Sequence, residues 1–167
     1  TCGRTRTHNI GLHTITPNDL SHDLKHLIAT DMPGRFPITS ARGHKYLFLM
    51  YDYDANYIQA VPIKSRESAE LIRGMKQCYA TLTKNNFQAK ILRLDNEVSK
   101  KLIQHIEHEA HLDYQLVSPH NHRANPAERA IQTFKAHFIS ILSGVHPDFP
   151  ANCWDLLVPQ TNLTLNI

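Results

Sequence analysis

Cysteine is scarce: only Cys2, Cys78 and Cys153 occur in 167 residues. Three scattered thiols, odd in number, exclude a disulfide framework and fit reduced thiols in an intracellular setting. No apolar run approaches the ~20 residues of a membrane-spanning helix. Internal repeats and low-complexity segments are also missing, which excludes a repeat array. No signal peptide is visible and the first residue is Thr1, so the chain reads as a piece of something longer. Neither sign of charge dominates. Lys and Arg number 18, Asp and Glu 15, and the net charge of +3 permits contact with nucleic acid without requiring it. What is present is an ordinary globular composition, 41% apolar and 20% charged, in a chain long enough for one domain with a real core.

Residues 1–26 show no sustained period and carry Arg4, Arg6, four His and one Pro. They read as an arm or linker. Cys2 is either the last ligand of a zinc module lying upstream or a lone cysteine; a zinc site needs about four ligands. From residue 27 the pattern changes. Leu27 to Thr30 suits a short strand stopped by Pro33-Gly34, which leaves Asp31 at a strand end. KYLFLMYDYD (45–54) opens with a near-continuous apolar run, as in a strand buried on both faces, and NYIQAVPI (56–63) pairs with it as a hairpin. Arg66 to Lys84 has helical spacing, with Ala69, Ile72, Met75 or Lys76, and Tyr79 or Ala80 as the repeat, and Ser65 as a cap.

A fourth strand at 88–94 runs directly into Asp95. Ser99 to His111 predicts a second helix with Leu102, Ile103 and Ile106 inward, and YQLVS (114–118) a fifth strand. A loop, PHNHRAN, precedes a long helix from Pro126 to Ser143, with Gly144 as its C-cap. Pro150 to Ile167 predicts a last helix packing Trp154, Leu156, Leu157 and Leu163. The order β-β-β-α-β-α-β-α-α gives an α/β domain, a mixed sheet of about five strands flanked by helices.

Three carboxylates stand at element ends. Asp31 closes the first strand, Asp95 follows the fourth, and Glu128 lies in the first turn of the long helix. An acid near a helix start is also favoured by the helix dipole alone, and Asn125 and Pro126 suit its first positions. Three acids brought together would repel one another, so something cationic must compensate. Hard divalent ions with oxygen ligands do so, and two of them ~3.5–4 Å apart can act on both sides of a phosphodiester. On the long helix, Gln132 and Lys135 project roughly 40° and −20° from Glu128, while Ile131, Phe134, Phe138 and Ile141 line the side meant for the sheet.

These stretches resemble a known family. TDMPGRFP (30–37), GHKYLFLMYDYDANYIQAVPI (43–63), ILRLDNE (91–97) and SPHNHRANPAERAIQTFK (118–135) resemble the catalytic core of retroviral and LTR-retrotransposon integrases, the D,D,E polynucleotidyl transferases of ribonuclease H-like fold. They span most of residues 27–135; the last is the most specific, through Pro119-His120, Asn125 and Glu128-Arg129. The terminal CWDLLVPQTNLTLN leans toward the copia-like retrotransposon type. The resemblance implies a core at 27–167, cut short at its C-terminal end, that processes cDNA 3′ ends and joins them to double-stranded target DNA in the nucleus as a homo-oligomer. It implies that Asp31, Asp95 and Glu128 bind two Mg²⁺ or Mn²⁺ ions. His120, His122, Arg123, Asn125, Gln132 and Lys135 are the expected DNA contacts. Departures exist: Glu97 stands where the family often has Gly, as does Asn125, and the 32-residue gap from Asp95 to Glu128 is slightly short.

Other candidates read differently. Asp52 and Asp54 suit a turn after the second strand. His105, His108 and His111, at i, i+3, i+6, read as a solvated helix face, and Trp154 as core. Two further functions compete with an active integrase. One is an inactive DNA-binding or assembly module derived from a mobile element, in which the acids do no chemistry. The other is a ribonuclease H acting on RNA–DNA hybrids, against which the NPAER stretch and the order of the acids argue.

Overall fold

The structure is a computed structural model that describes residues 26–87, 89–94, 100–108, 113–116 and 126–167. Ten elements follow in order: β1 (Leu27–Asp31), β2 (Tyr46–Asp52), β3 (Tyr57–Ile63), α1 (Ser68–Lys84), β4 (Ile91–Leu94), α2 (Lys100–His108), β5 (Asp113–Leu116), α3 (Pro126–Gly144), a 3₁₀ turn (Ala151–Leu156) and α4 (Val158–Leu165). The strands form one mixed sheet in the order β3-β2-β1-β4-β5. β1, β2 and β3 pair antiparallel, whereas β4 and β5 join parallel through the helical crossovers α1 and α2. The β2–β3 turn is built as expected: Asp52 Oδ1 accepts the Ala55 N–H at 2.8 Å and Asn56 takes a left-handed φ of 52°.

The apolar run of β2 is buried on both sides because successive side chains alternate. Phe48 and Met50 enter one core with Ile28, Val61, Leu92, Leu71, Met75 and Ile106, beneath α1 and α2. Leu47 and Leu49 enter the other with Ile131, Phe134, Phe138, Trp154 and Val158, beneath α3 and the C-terminal elements. The predicted inner face of α3 is correct at Ile131, Phe134 and Phe138, and Ile141 is half-buried at its margin.

The buried stripe of α1 differs from the expected one. Leu71, Gly74, Met75, Cys78 and Leu82 face the sheet; Ile72 and Tyr79 flank it, and Ala69, Lys76 and Ala80 are exposed. The helix sits so close at Gly74 that a Cβ there would lie 3.2 Å from Phe48 and Ile63. That approach selects the stripe centred on glycine. Ser65 does not cap α1, since Glu67 holds the N-cap position; its hydroxyl accepts the Glu67 N–H instead. His105 is also not solvated: it is buried on α2, while His111 lies outside the described residues.

The single C-terminal helix expected from Pro150 is broken at Leu157. Pro159 has no N–H to continue a ladder from the 3₁₀ turn, so it opens a new helix. Trp154 is buried as expected, but Leu156 and Leu163 are more than half exposed. The break lets α4 lie against β3, the edge strand. Asn162 Oδ1 accepts the Ala60 N–H (2.9 Å) and its Nδ2 donates to the Ala60 carbonyl (2.8 Å). Asn166 treats Ile58 the same way, at 2.9 and 2.8 Å. Pro62 has no N–H, and its carbonyl accepts from Arg73 Nη2 at 2.8 Å.

The β1–β2 connection is held by a buried carboxylate. Asp155 Oδ2 accepts from Arg42 Nε at 2.9 Å and meets His44 Nδ1 at 2.6 Å. The Ala41 N–H donates to the Asn152 carbonyl, and Trp154 Nε1 donates to the Ile38 carbonyl. Phe36 stacks on Trp154 with centroids 4.1 Å apart. The loop from 32 to 45 is thereby pinned against the end of α3 and the 3₁₀ turn.

Candidate active site

Strand alternation decides where Asp31 goes. Ile28 belongs to the α1 side, so Leu27, Ala29 and Asp31 take the other face. Asp31 pairs in register with Leu49, which lies under α3, and α3 packs against both β1 and β2. The carboxylate is half-buried, and its Oδ1 accepts the Met32 N–H at 2.6 Å, which fixes the side chain at the strand end. Glu128 enters from the first turn of α3 on that same face. It is exposed, and among the described residues nothing pairs with it. Asp31 and Glu128 therefore share a face of the sheet.

The third acid, Asp95, lies outside the described residues, as do His120, His122, Arg123 and Asn125. Leu94, which precedes Asp95 in sequence, ends β4 beside β1. Gln132 and Lys135 are exposed on α3, as their angular offset from Glu128 requires. Among the described residues no group of three His, Cys, Asp or Glu stands close enough to hold a metal. The two acids in view are hard oxygen donors, which suit Mg²⁺ or Mn²⁺ better than zinc.

Asp52 is removed from the candidates by position as well as by its turn bond. It pairs with Ile28, three residues before Asp31, at the opposite end of β1. Burial raises its pKa, against the Ala55 N–H that lowers it. Asp54 accepts the His26 N–H at 2.8 Å beside it.

One charged residue escaped the sequence reading. Arg93 stands across from Ala29 on the α3 face, buried to 4% exposure. Its Nη2 donates to Gln115 Oε1 at 3.4 Å, while Nε and Nη1 find no hydrogen-bond partner among the described residues. Tyr53 is adjacent: burial pushes its phenol up to about 12, and the guanidinium pulls the other way. The available signal was a lone cation inside the apolar run ILRL. It places a buried positive charge in the sheet on the face that also carries Asp31.

The sheet and its helices define a fold. The five-stranded mixed sheet with helices on both faces is the ribonuclease H-like fold of retroviral integrase catalytic cores. The HTLV-2 integrase catalytic core domain in complex with magnesium matches in its trimeric form with TM-score 0.62 at 17% identity, over 84% of this chain and 84% of that one. Its dimeric form matches with TM-score 0.63 at 16% identity, over 84% and 85%. A chain of the simian T-cell lymphotropic virus intasome, solved with the PP2A regulatory subunit B56 gamma, gives TM-score 0.64 at 16% identity over 85% of this chain. The present chain spans about half of that one, 47%. No protein-family model and no curated protein matches the sequence.

Proposed function

We propose that the chain is the catalytic core of a retrotransposon integrase that processes cDNA 3′ ends and transfers them into target DNA. The observation that carries this reading is the placement of Asp31 and Glu128 on one face of an integrase-type sheet. Asp95 is the proposed third member, and its position in the sequence supports it. The parallel register sets Ala29 opposite Arg93, and two positions on from each stand Asp31 and Asp95.

Asp31, Asp95 and Glu128 would hold divalent ions, which when bound supply activation of the attacking oxygen and stabilisation of the leaving one. The chain itself does the positioning. Asp31 is fixed by the Met32 N–H, and Glu128 rides on a long helix anchored by Phe134 and Phe138. The N-terminal end of α3 favours the negative charge of a phosphodiester. Gln132 and Lys135 meet the DNA farther along the helix, and His120, His122, Arg123 and Asn125 meet it from the segment that precedes α3. In processing, water oxygen bonds to phosphorus and the bond to the departing 3′ oxygen breaks. In joining, the new 3′ hydroxyl takes the place of water and target DNA supplies the leaving oxygen. The HTLV-2 core was solved as dimer and trimer, which supports a homo-oligomer here. Target chromosomes place the reaction in the nucleus.

The test is joining of labelled duplex ends in Mg²⁺ or Mn²⁺. Asp31→Asn and Glu128→Gln should each fall below about 1% of parent activity, since losing a ligand exceeds the 10–100-fold effect of losing a residue that orients one. Circular dichroism should be unchanged. Full activity in either variant overturns the assignment. A parent chain that neither joins DNA nor binds Mn²⁺ through these acids in calorimetry is the inactive module.

A further inference from the structure

Among the described residues, Arg93 is the one lysine or arginine that is buried. It stands on β4 between Leu92 and Leu94, which face α1 and α2, so its own side chain rises on the α3 face. Gln115 of β5 reaches it from one side and Tyr53, just past β2, from the other. Ala29, paired with it on β1, brings only a methyl group. Nε and Nη1 of Arg93 and the Tyr53 hydroxyl are buried with no hydrogen-bond partner among the described residues. Arginine keeps its charge in such a place, and a buried charge is costly without an opposite one. The buried acids elsewhere do not answer it. Asp155 is tied to Arg42 and His44, and Asp52 lies on the α1 face. On Arg93's own face two acids stand one pleat away on the diagonal, ~8 Å between backbones: Asp31 on β1 and Asp113 on β5. Asp113 is exposed at the sheet edge, where solvent screens it, whereas Asp31 is half-buried.

We propose that Arg93 is the fixed counter-charge of the acid cluster: its guanidinium balances Asp31 and the acids proposed to join it while no ion is bound, and weakens their hold on an ion that arrives. Carboxylates brought to one end of a sheet repel one another. A permanent cation one pleat behind them lets them stand together without metal, and the same field opposes a divalent ion. Arg93 is in this role a positioning residue, acting through the acids and not on substrate. The inference rests on the integrase reading for the acids as metal ligands.

The test is calorimetry of the whole chain with Mn²⁺ at neutral pH. Arg93→Met removes the charge and keeps an apolar stem. A unit charge ~8 Å from a divalent ion, at an effective dielectric constant of ~20, changes affinity by more than about tenfold. Arg93→Met should therefore bind Mn²⁺ at least about tenfold more tightly, and Arg93→Lys should bind it as the parent does. A residue that merely propped the sheet would weaken binding when replaced, so the direction of the change separates the two roles. Arg93→Gln, which is polar and uncharged, serves where methionine does not fold. Urea unfolding without metal gives an independent reading. Asp31→Asn should shift the urea midpoint further upward in the neutral Arg93 background than in the parent, whereas Asp113→Asn should act alike in both. Mn²⁺ affinity unchanged or weakened in the folded neutral variants overturns the proposal, as does an Asp31→Asn effect indifferent to Arg93. A parent chain that binds no Mn²⁺ through Asp31 and Glu128 sinks the integrase reading instead, and the metal-free comparison then decides the role of Arg93.

Discussion

Asp155→Asn should destabilise the protein by about 2–3 kcal/mol at neutral pH, and the structure gives the terms. The carboxylate is 1% exposed, and one of its oxygens receives both Arg42 and His44. The His44 contact is 2.6 Å long with the ring only 15% exposed, so it falls in the range of about 1.5–3 kcal/mol for a bond to a charged group. Arg42 is 53% exposed, and solvent screening holds its share below about 1 kcal/mol. Asparagine keeps the volume and one acceptor oxygen, which returns a fraction. Burial alone raises the Asp155 pKa, but hydrogen bonds from Arg42, His44 and Ser40 outweigh it and hold the carboxyl below its ordinary value. A carboxyl depressed in the folded state contributes stability that is complete above the unfolded pKa, near ~3.9, and disappears as pH falls through the folded pKa. Urea denaturation of parent and variant at pH 7 and through the acid range measures this. The gap between them should be full at pH 7 and shrink below about pH 4. A gap under about 0.5 kcal/mol at pH 7, or one that persists undiminished in acid, refutes the argument.

Two other stability changes are expected. Gly74→Ala gains about 1 kcal/mol of helix propensity but forces Phe48 and Ile63 back from a 3.2 Å contact, which costs about 1–3 kcal/mol. The net result should be a lowered urea midpoint, and a raised one would show that the sheet yields freely. Asn162→Ala with Asn166→Ala removes four bonds to β3, at about 0.5–1.5 kcal/mol each. It should lower stability by several kcal/mol and promote concentration-dependent association by sedimentation; a monodisperse variant of parent stability would contradict it.

The parts of the fold readable from sequence were those set by local pattern. The unbroken run in β2 announced two buried faces, and Asp52 and Asp54 announced the turn between β2 and β3. The angular arithmetic of α3 put Glu128, Gln132 and Lys135 outside and Phe134 and Phe138 inside. What was hidden depends on how elements approach one another. Periodicity in α1 pointed to a stripe through Ala69 and Ile72, whereas the close approach of the sheet at Gly74 goes with the stripe of Leu71, Met75, Cys78 and Leu82. The burial of His105 and Arg93 likewise depends on what packs over them. Arg35 and Lys135 line one cleft although 100 positions separate them in the chain, and no local pattern announces such a meeting. Of the site itself, the elements bearing Asp31 and Glu128 were legible as ends of a strand and a helix; their common face came from register.

The outer margin of β3 has a consequence for assembly. Every outward backbone group from Ile58 to Pro62 is already answered, by two side-chain amides, one guanidinium and a ring that carries no hydrogen. A second chain arriving there finds nothing to zip onto. Copies of the chain crowded together cannot fuse their sheets into a growing fibril from that side.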